Sequence, residues 1–423
     1  MSAVKSNSDR APKFSFETVL RAQEWAVDLF ARYPWIGWAA WLIFCIVSLL
    51  RTHPRRFGST FQAYLTAAHS FWNGQPIYDL NQLGEYLYWP VSLLVLGPLP
   101  QLQPIVAAAI AMAVSAIILS VASVVFLRVF LPERSSAETL QLAGVLLMIN
   151  IPAAWFNFKY VQAQIGMTAF MMLAAAAIAR RQWPMASLWM FFSVIVKPLS
   201  LVMLLLCGAT QARLRIGLGL ALIAALLLPF AFADVHYIAG EYRTWFVKLQ
   251  QLASVEPGQW PYQADFASML DTFGIDLPHA VQTGVRLAAA LGTLVLVWRV
   301  ARMQNPATFA MAVTLFSGCY ITLFGPRNEF LSFLVLTPPL TALALTLLTR
   351  NGRDQRAWAL IAAAVVIGFH GALEVDRVLK PFLTFIILGW LIRLTMKPER
   401  WVALLNAGAA PETPTAGRAV GVN

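Results

Sequence analysis

Charged residues are scarce in this chain. Lysine and arginine number 31 and aspartate and glutamate 20 among 423 residues, so that charged side chains make up 12% of the sequence and hydrophobic ones 59%. The mean hydropathy is +0.65, and no soluble core could enclose so much apolar side chain. The composition therefore excludes a soluble globular protein and predicts an all-α polytopic membrane protein.

Cysteine is also scarce, and its placement favours neither a cross-link nor a metal. Cys45, Cys207 and Cys319 each lie inside an apolar stretch without a CxxC spacing, which argues against a disulfide framework and a metal cluster. The net charge of +11 lies mostly in short runs between apolar segments, where it orients a membrane protein. We therefore expect no metal cluster and no nucleic-acid partner.

Ten apolar runs approach the length of about 20 residues that a spanning helix needs. They are residues 34–50, 104–130, 142–156, 165–179, 216–233, 281–298, 307–324, 330–348, 357–372 and 378–392. The run 185–207 is an eleventh of unusual kind, and 91–99 is too short to span. Counting such short, broken or re-entrant pieces, we expect about 10 to 13 membrane helices.

The expected domain organisation is simple. Residues 1–33 form a cytoplasmic segment with an amphipathic helix, 34–400 a single transmembrane domain, and 401–423 a flexible cytoplasmic tail rich in small residues and proline. A second amphipathic helix is predicted near 60–72. The first strongly apolar run begins only near Trp35, so we expect no cleaved signal peptide.

Basic clusters between the runs predict the orientation. With the N-terminal basic residues in the cytoplasm, nearly all other clusters fall on the same side, as the positive-inside rule requires. These clusters are Arg128 and Arg134, Arg180 and Arg181, Arg299 and Arg302, Arg350, Arg353 and Arg356, and Arg393, Lys397 and Arg400. We therefore expect a multi-pass protein of a bacterial-type cytoplasmic membrane, with both termini inside and long outer loops at 51–90 and 234–280.

The stretch SVIVKPLSLV, residues 193–202, places a lysine and a proline within an apolar run. A lysine at mid-bilayer depth costs about 2.5 to 3.5 kcal/mol, and an interior proline removes a backbone hydrogen bond. Arginines before and after the run favour the same side of the membrane, which one crossing cannot satisfy. We expect a helix pair that turns at Pro198 with Lys197 at its tip; a tilted single helix with Lys197 snorkelling or paired is the alternative.

Cations and aromatic side chains converge in the segments expected on the outer face. Lys197 and Arg327 suit a phosphate attached to a lipid, and aromatic rings with a few carboxylates suit a sugar. The aromatic residues are Tyr64, Trp72, Tyr78, Tyr86, Tyr88, Trp89, Trp260 and Tyr262. Two plainer explanations stay open: Arg327 and Glu329 can form a local ion pair, and Tyr and Trp are common in interfacial belts.

Several short motifs occur together between residues 58 and 345. The first outer loop contains Tyr64, Gly74, Ile77-Tyr78, Tyr88-Trp89-Pro90 and Pro98-Leu99, and it is followed by VQAQIG, SVIVKPLSLV and LFGPRNEFLSFLVLTPPL. In this order the motifs resemble those of the DUF2029 or GT87 family of membrane glycosyltransferases. The resemblance implies a GT-C type helical bundle.

The same resemblance implies an activity and roles for residues. It implies inverting transfer of a sugar from a polyprenyl-phosphate donor to a glycan or glycolipid acceptor at the outer membrane face, without a metal cofactor. Family members usually place an aspartate before the aromatic residue that opens the first loop, where this chain has Thr60. The expected roles are base for Asp79, with Glu329 and Asp265 as substitutes; phosphate binding for Lys197, Arg327 and Lys159; and sugar or acceptor binding for Tyr64, Tyr78, Tyr88, Trp89, Gln164, Trp260 and Tyr262.

Two other functions stay open. Broken helices and intramembrane charge also suit a transporter or flippase of a lipid-linked or polar solute, although we find no corresponding Lys-Pro break in another half of the chain. A catalytically degenerate family member that only binds lipid-linked sugar is the second alternative, because Thr60 cannot act as a base at neutral pH.

Overall fold

The structure is a computed structural model that describes residues 16–51, 58–81, 86–253, 263–325, 328–371 and 373–406. Within these residues all repeating secondary structure is helical, as predicted for an all-α membrane protein. In chain order the helices are α1 Phe16–Arg32, α2 Ile36–Leu50, α3 Gly58–Trp72, α4 Ser92–Leu96, α5 Pro104–Phe130, α6 Ser136–Ile149, α7 Ile151–Lys159, α8 Gln164–Ala179, α9 Trp183–Val196, α10 Leu201–Thr210, α11 Arg215–Leu227, α12 Val235–Ala253, α13 Phe266–Thr272, α14 His279–Ala301, α15 Pro306–Phe324, α16 Thr337–Arg350, α17 Gln355–Gly368, α18 Leu373–Met396 and α19 Pro398–Asn406.

Every predicted apolar run contains a helix. Within the described part of the chain, six helical segments are long and apolar enough to cross a membrane by themselves, and up to eight are if each of two bent pairs counts as one span. Shorter apolar helices, such as α8, α9 and α17, complete the bundle. The chain is therefore a multi-pass membrane protein.

The run 142–156 is bent, which its composition did not predict. Helices α6 and α7 meet at Asn150 at an angle of 63°. The Asn150 amide donates to the Leu146 carbonyl at 2.8 Å and to Thr341 Oγ1 at 3.2 Å, and Pro152 lies in the first turn of α7. A proline in a first turn suits a helix start, so the chain begins a new helix there.

The run 185–207 folds back on itself, as predicted. Helix α9 ends before Lys197, residues 198–200 form a 3-10 turn, and α10 follows. The Arg213 guanidinium, just after α10, lies 6.0 Å from the ring centroid of Trp183, the first residue of α9. The start of α9 and the end of α10 therefore lie together. Lys197 lies at the opposite end of the helix pair, in the turn.

The bundle consequently has two distinct ends. At the arginine end, α8, α10, α14 and α16 finish, next to Arg180, Arg213, Arg302 and Arg350 respectively. The opposite end, which we call the site end, is where α7, α9, α15 and α17 finish, next to Lys159, Lys197, Phe324 and His370 respectively. The alternation of helix direction that the basic clusters predicted is thus present in the fold.

Two details differ from expectation near the C-terminus. The first residues of the predicted flexible tail are helical, since α19 extends to Asn406 and the buried Trp401 indole donates to Thr395 Oγ1 at 3.1 Å; residues 407–423 lie outside the described residues. A second Lys-Pro pair, Lys380 and Pro381, lies inside α18, which continues through it. The pair at 197–198 breaks its helix, whereas the pair at 380–381 does not.

Candidate active site

Four tyrosines from two segments form an aromatic cluster at the site end. Tyr64 lies on α3, and Tyr78, Tyr86 and Tyr88 lie on the segment after it. Ring centroids are 5.4 Å apart for Tyr64 and Tyr88, 5.9 Å for Tyr78 and Tyr86, and 5.7 Å for Tyr86 and Tyr88. These distances are those of interacting aromatic pairs. We call Tyr64, Tyr78, Tyr86 and Tyr88 the tyrosine cluster.

Hydrogen bonds fix the hydroxyl groups of this cluster. The Tyr64 hydroxyl lies 2.9 Å from the Tyr88 hydroxyl and 3.1 Å from Gln162 Oε1, and the Tyr78 hydroxyl donates to the Tyr88 carbonyl at 2.6 Å. Burial raises the pKa values of Tyr64, Tyr78 and Tyr86 well above their usual range. The hydroxyl groups are therefore neutral, and they can donate or accept hydrogen bonds but carry no charge.

Gln162 reaches the cluster through an unusual turn. Val161, directly before it, has a φ of 47°, a conformation that β-branched residues rarely adopt. The Gln162 backbone N–H donates to the Asn157 carbonyl at 2.8 Å across this turn. Strained backbone of this kind is concentrated at functional sites, and here it directs a side-chain amide to Tyr64.

Lys197 lies against the tyrosine cluster. Its Nζ is 5.4 Å from the ring centroid of Tyr88, within the range of a cation–π interaction. Its backbone is extended, with φ −154° and ψ 122°, as expected for a residue that precedes a proline. The Trp89 indole donates to the Val194 carbonyl at 3.2 Å, so the aromatic segment is attached to α9 close to Lys197.

Glu329 brings a carboxylate to the same place. After burial and the neighbouring Tyr88, the charge of Glu329 also raises the pKa of Tyr64, so Glu329 belongs to the surroundings of the cluster. Behind it, the 3-10 segment Phe330–Val335 is held by two amides, since Asn157 Nδ2 donates to the Leu331 carbonyl at 3.1 Å and Gln164 Nε2 to the Ser332 carbonyl at 3.3 Å. Gln164 Oε1 is buried and has no hydrogen-bond partner among the described residues.

Thr60 lies one helical turn before Tyr64 on α3. Residues four apart lie on one face of a helix, so Thr60 faces the same side of α3 as the cluster. An aspartate usually stands at this position in the family that the motifs resemble. The Glu329 charge acts on Tyr64, one turn after Thr60 on this helix.

The other two predicted carboxylates accept hydrogen bonds from groups of the fold. Asp79 is half-buried and accepts from the Asn81 backbone N–H at 2.8 Å. Asp265 is buried; it caps α13 by accepting from the Ser268 N–H at 2.9 Å, and its other oxygen lies 3.3 Å from Arg286. Glu329 is therefore the predicted carboxylate whose charge acts on the tyrosine cluster; which of the three is the base stays a prediction.

The remaining predicted residues have separate places. Lys159 is exposed, with its Nζ 5.0 Å from the Phe156 ring centroid and 5.1 Å from that of Tyr160. Arg327, Trp260 and Tyr262 lie outside the described residues, and the roles expected for them stay predictions.

A buried lysine that the sequence reading missed lies behind Phe330. Lys380 is 1% exposed, and its Nζ is 2.8 Å from His370 Nδ1 and 3.9 Å from Asp376 Oδ2. The His370 ring is 4.6 Å from that of Phe330, the residue after Glu329. A lysine inside the apolar run 378–392 was the available signal, because intramembrane charge marks functional or structural polar clusters.

The fold and this site define a class: a polytopic membrane protein that joins a cation, a carboxylate and aromatic rings at one end of its helical bundle. The family model of glycosyltransferase family 87 matches residues 86–326, which is more than half of the chain. The chain belongs to this family of glycosyltransferases, as its motifs indicated. No curated protein and no solved structure matches it. The matched region contains Tyr88 and Lys197, whereas Tyr64 and Glu329 lie outside it.

Proposed function

We propose that this glycosyltransferase moves a sugar from a polyprenyl-phosphate donor to a hydroxyl of a glycan or glycolipid acceptor at the outer face of the membrane. In this proposal Lys197 binds the donor phosphate and Glu329 is the base. The observation that carries it is that Lys197 lies over Tyr88, which pairs with Tyr64, while the charge of Glu329 acts on Tyr64.

The chemistry follows from this pairing. The acceptor oxygen forms a bond to the anomeric carbon while the bond from that carbon to the phosphate oxygen breaks. Glu329 takes the proton from the acceptor hydroxyl, and the lysine ammonium stabilises the negative charge that grows on the departing lipid phosphate. Attack from the side opposite to the leaving group inverts the anomeric configuration. No step in this scheme requires a metal ion, so metal independence stays a prediction.

The choice of base rests on which carboxylate acts on the tyrosine cluster. Asp265 is held by a helix cap and by Arg286, and Asp79 accepts from the backbone of its own turn. Both carboxylates therefore accept hydrogen bonds that stabilise local structure. The charge of Glu329 acts on Tyr64, and in this proposal Glu329 serves in place of the aspartate that the family usually has at the position of Thr60.

The location of the site supports an outer-face reaction. Lys197, Glu329 and the tyrosine cluster lie at the end of the bundle away from the arginine end. Because positively charged loops favour the cytoplasm, the site end is expected at the outer surface. A lipid phosphate at the membrane edge would lie at the level of Lys197.

The proposal is tested with purified protein in proteoliposomes and isotopically labelled polyprenyl-phosphate sugars. We expect labelled sugar to appear on an added acceptor or on water, and we expect Lys197→Ala to abolish most of this transfer at low donor concentration. Movement of intact donor across the bilayer without transfer would instead indicate a flippase. Tight donor binding with neither transfer nor movement would indicate the degenerate, binding-only member.

A further inference from the structure

Helix α12 contacts the aromatic segment through one of its faces. Tyr237 Oη donates to the Gln75 carbonyl at 2.7 Å, and Trp245 Nε1 donates to the Leu87 carbonyl at 3.0 Å. Between them, Glu241 accepts from the Ile77 N–H at 3.1 Å, and Lys248 Nζ donates to the Asp79 carbonyl at 3.0 Å. These four residues recur at helical spacing, so this protein-facing side of α12 binds the backbone of the segment on both sides of Tyr78.

A second face of α12 is apolar and exposed. Val235 is 59% exposed, Phe246 58% and Leu249 37%. At 100° per residue these three positions fall within one sector of the helix, next to the protein-facing side. We call them the apolar stripe.

A third face is polar and exposed. His236, Arg243 and Gln250 are exposed, and at seven-residue spacing they share a sector next to the apolar stripe. The helix thus has a protein-facing, an apolar and a polar side in order around its axis. A helix that packed on the protein and was otherwise exposed to water would need only the protein-facing side and the polar side.

The apolar stripe continues a surface that already faces lipid. Leu220, Ile223 and Leu227 on the apolar helix α11 are 62%, 54% and 58% exposed, as expected for a lipid-facing side. Phe232, between α11 and α12, is 54% exposed. The Tyr242 hydroxyl of α12 donates to the Leu226 carbonyl of α11 at 3.0 Å. The stripe therefore begins where the lipid-facing side of α11 ends.

We propose that α12 lies in the bilayer interface at the site end, with Val235, Phe246 and Leu249 in contact with lipid acyl chains and Arg243 and Gln250 in water. The same helix then joins the membrane surface to the backbone of the segment that carries Tyr78 and Tyr88. This inference does not depend on glycosyl transfer, since it concerns where the helix lies.

The test uses bimane attached to single cysteines in protein reconstituted into nanodiscs. Cys45 is replaced by alanine, whereas Cys207 and Cys319 are fully buried and serve as the unlabelled background. The probe positions are Phe246→Cys and Leu249→Cys on the apolar stripe, and Arg243→Cys and Gln250→Cys on the polar side as matched controls. Quenching is measured with aqueous iodide and with a phosphatidylcholine that carries a nitroxide high on its acyl chain.

An interfacial helix buries its apolar face about 5 to 10 Å into the headgroup and acyl boundary, so we expect lipid-borne quenching to be at least about threefold stronger at 246 and 249 than at 243 and 250. Iodide should show the reverse order. Equal iodide quenching at all four positions would overturn the proposal, because the helix would then lie in water. Protection of 246 and 249 from both quenchers would also overturn it, because another protein surface, such as a second copy, would then cover the stripe.

Discussion

Glu329 lies near Tyr64, one helical turn from Thr60, and this placement can be tested by moving the carboxylate. Glu329→Gln removes the base and should lower the transfer rate by about 10²- to 10⁴-fold. Thr60→Asp in the Glu329→Gln background should restore part of the lost rate, because it supplies a carboxylate on α3, one turn before Tyr64. The measurement is single-turnover transfer of labelled sugar from saturating donor.

Asp79→Asn is the matched control for this experiment. It removes a carboxylate from the same end of the bundle, where it accepts from the Asn81 N–H, and it should leave the rate nearly unchanged. A normal transfer rate for Glu329→Gln together with a loss of transfer in Asp79→Asn would assign the base to Asp79. It would contradict the proposed role of Glu329.

Lys197 is expected to contribute donor affinity. A hydrogen bond to a charged group is worth about 1.5 to 3 kcal/mol, so Lys197→Met should raise the donor KM by roughly 10- to 100-fold. Lys159→Met changes an exposed lysine that packs on Phe156 and Tyr160 and serves as control, with a small effect expected. Equal effects of the two substitutions on KM would show that Lys197 has no special part in phosphate binding.

At the scale of single residues, the sequence predicted which kinds of residue form the site better than it predicted which of them contact one another. Lys197 beside Pro198 could be found from the sequence alone, because a charge and a proline are unusual inside an apolar run. The motif around Tyr88 could be found because it matches the family pattern. That the charge of Glu329 acts on Tyr64 depends on how segments distant in the sequence come together in the fold, and no local pattern contains that information. Lys248 and Lys380 were missed for a related reason, since their partners are brought near them only by the fold.

At the scale of helices, charge was more informative than hydropathy. The antiparallel arrangement of α9 and α10 was predicted from the arginines before α9 and after α10, because both groups of arginines favour the same side of the membrane. The bend at Asn150 did not follow from the sequence, because it depends on a hydrogen bond to Thr341 on a distant helix.

Helix α12 carries a carboxyl group whose titration should affect stability. Burial raises the pKa of Glu241, so the folded protein binds this proton more tightly than the unfolded chain. Stability is then lost as pH rises from about 4.3, the ordinary pKa of glutamate, through the raised value. Glu241→Gln retains an oxygen to accept from the Ile77 N–H and does not ionise. It should raise the unfolding temperature in detergent at neutral pH, and the gain should disappear near pH 4.

Asp234, directly before α12, is the control, because its pKa is shifted in the direction opposite to that of Glu241. Its carboxylate accepts from the Tyr237 and His236 backbone N–H groups, which lowers its pKa. The stability it contributes is present above its ordinary pKa and is lost as pH falls through the lowered value. Asp234→Asn should therefore lower the unfolding temperature at neutral pH and match the native protein at low pH. The same pH slope for both variants would contradict the assigned surroundings of Glu241.

The close crossing of α2 and α6 depends on two glycines. A Cβ at Gly144 would lie 2.6 Å from Trp38 Cδ1, and one at Gly37 would lie 2.4 Å from the Gly144 backbone. Small residues allow such approach between membrane helices. Gly144→Ala should lower the unfolding temperature, whereas Gly219→Ala on α11, which has open space, should be neutral or slightly stabilising. Equal effects of the two substitutions would show that the crossing can relax.

At the scale of the whole molecule, the chain separates its charges by end. The basic residues that follow α8, α10, α14 and α16 gather at one end, and Lys197, Glu329 and the tyrosine cluster lie at the other. The overall bundle was predictable because the positions of the apolar helices and their alternating direction follow from hydropathy and charge. The assembly of the site was not, because its residues come from α3, from the turn after α9 and from the segment after α15.

A structure of the protein with a bound polyprenyl-phosphate sugar tests the proposed function most directly. We predict a donor phosphate oxygen about 3 Å from Lys197 Nζ, at hydrogen-bond distance, with the anomeric carbon between the tyrosine cluster and Glu329. A donor whose phosphate lies at the arginine end, or whose sugar lies away from Glu329, would contradict this placement of the reaction.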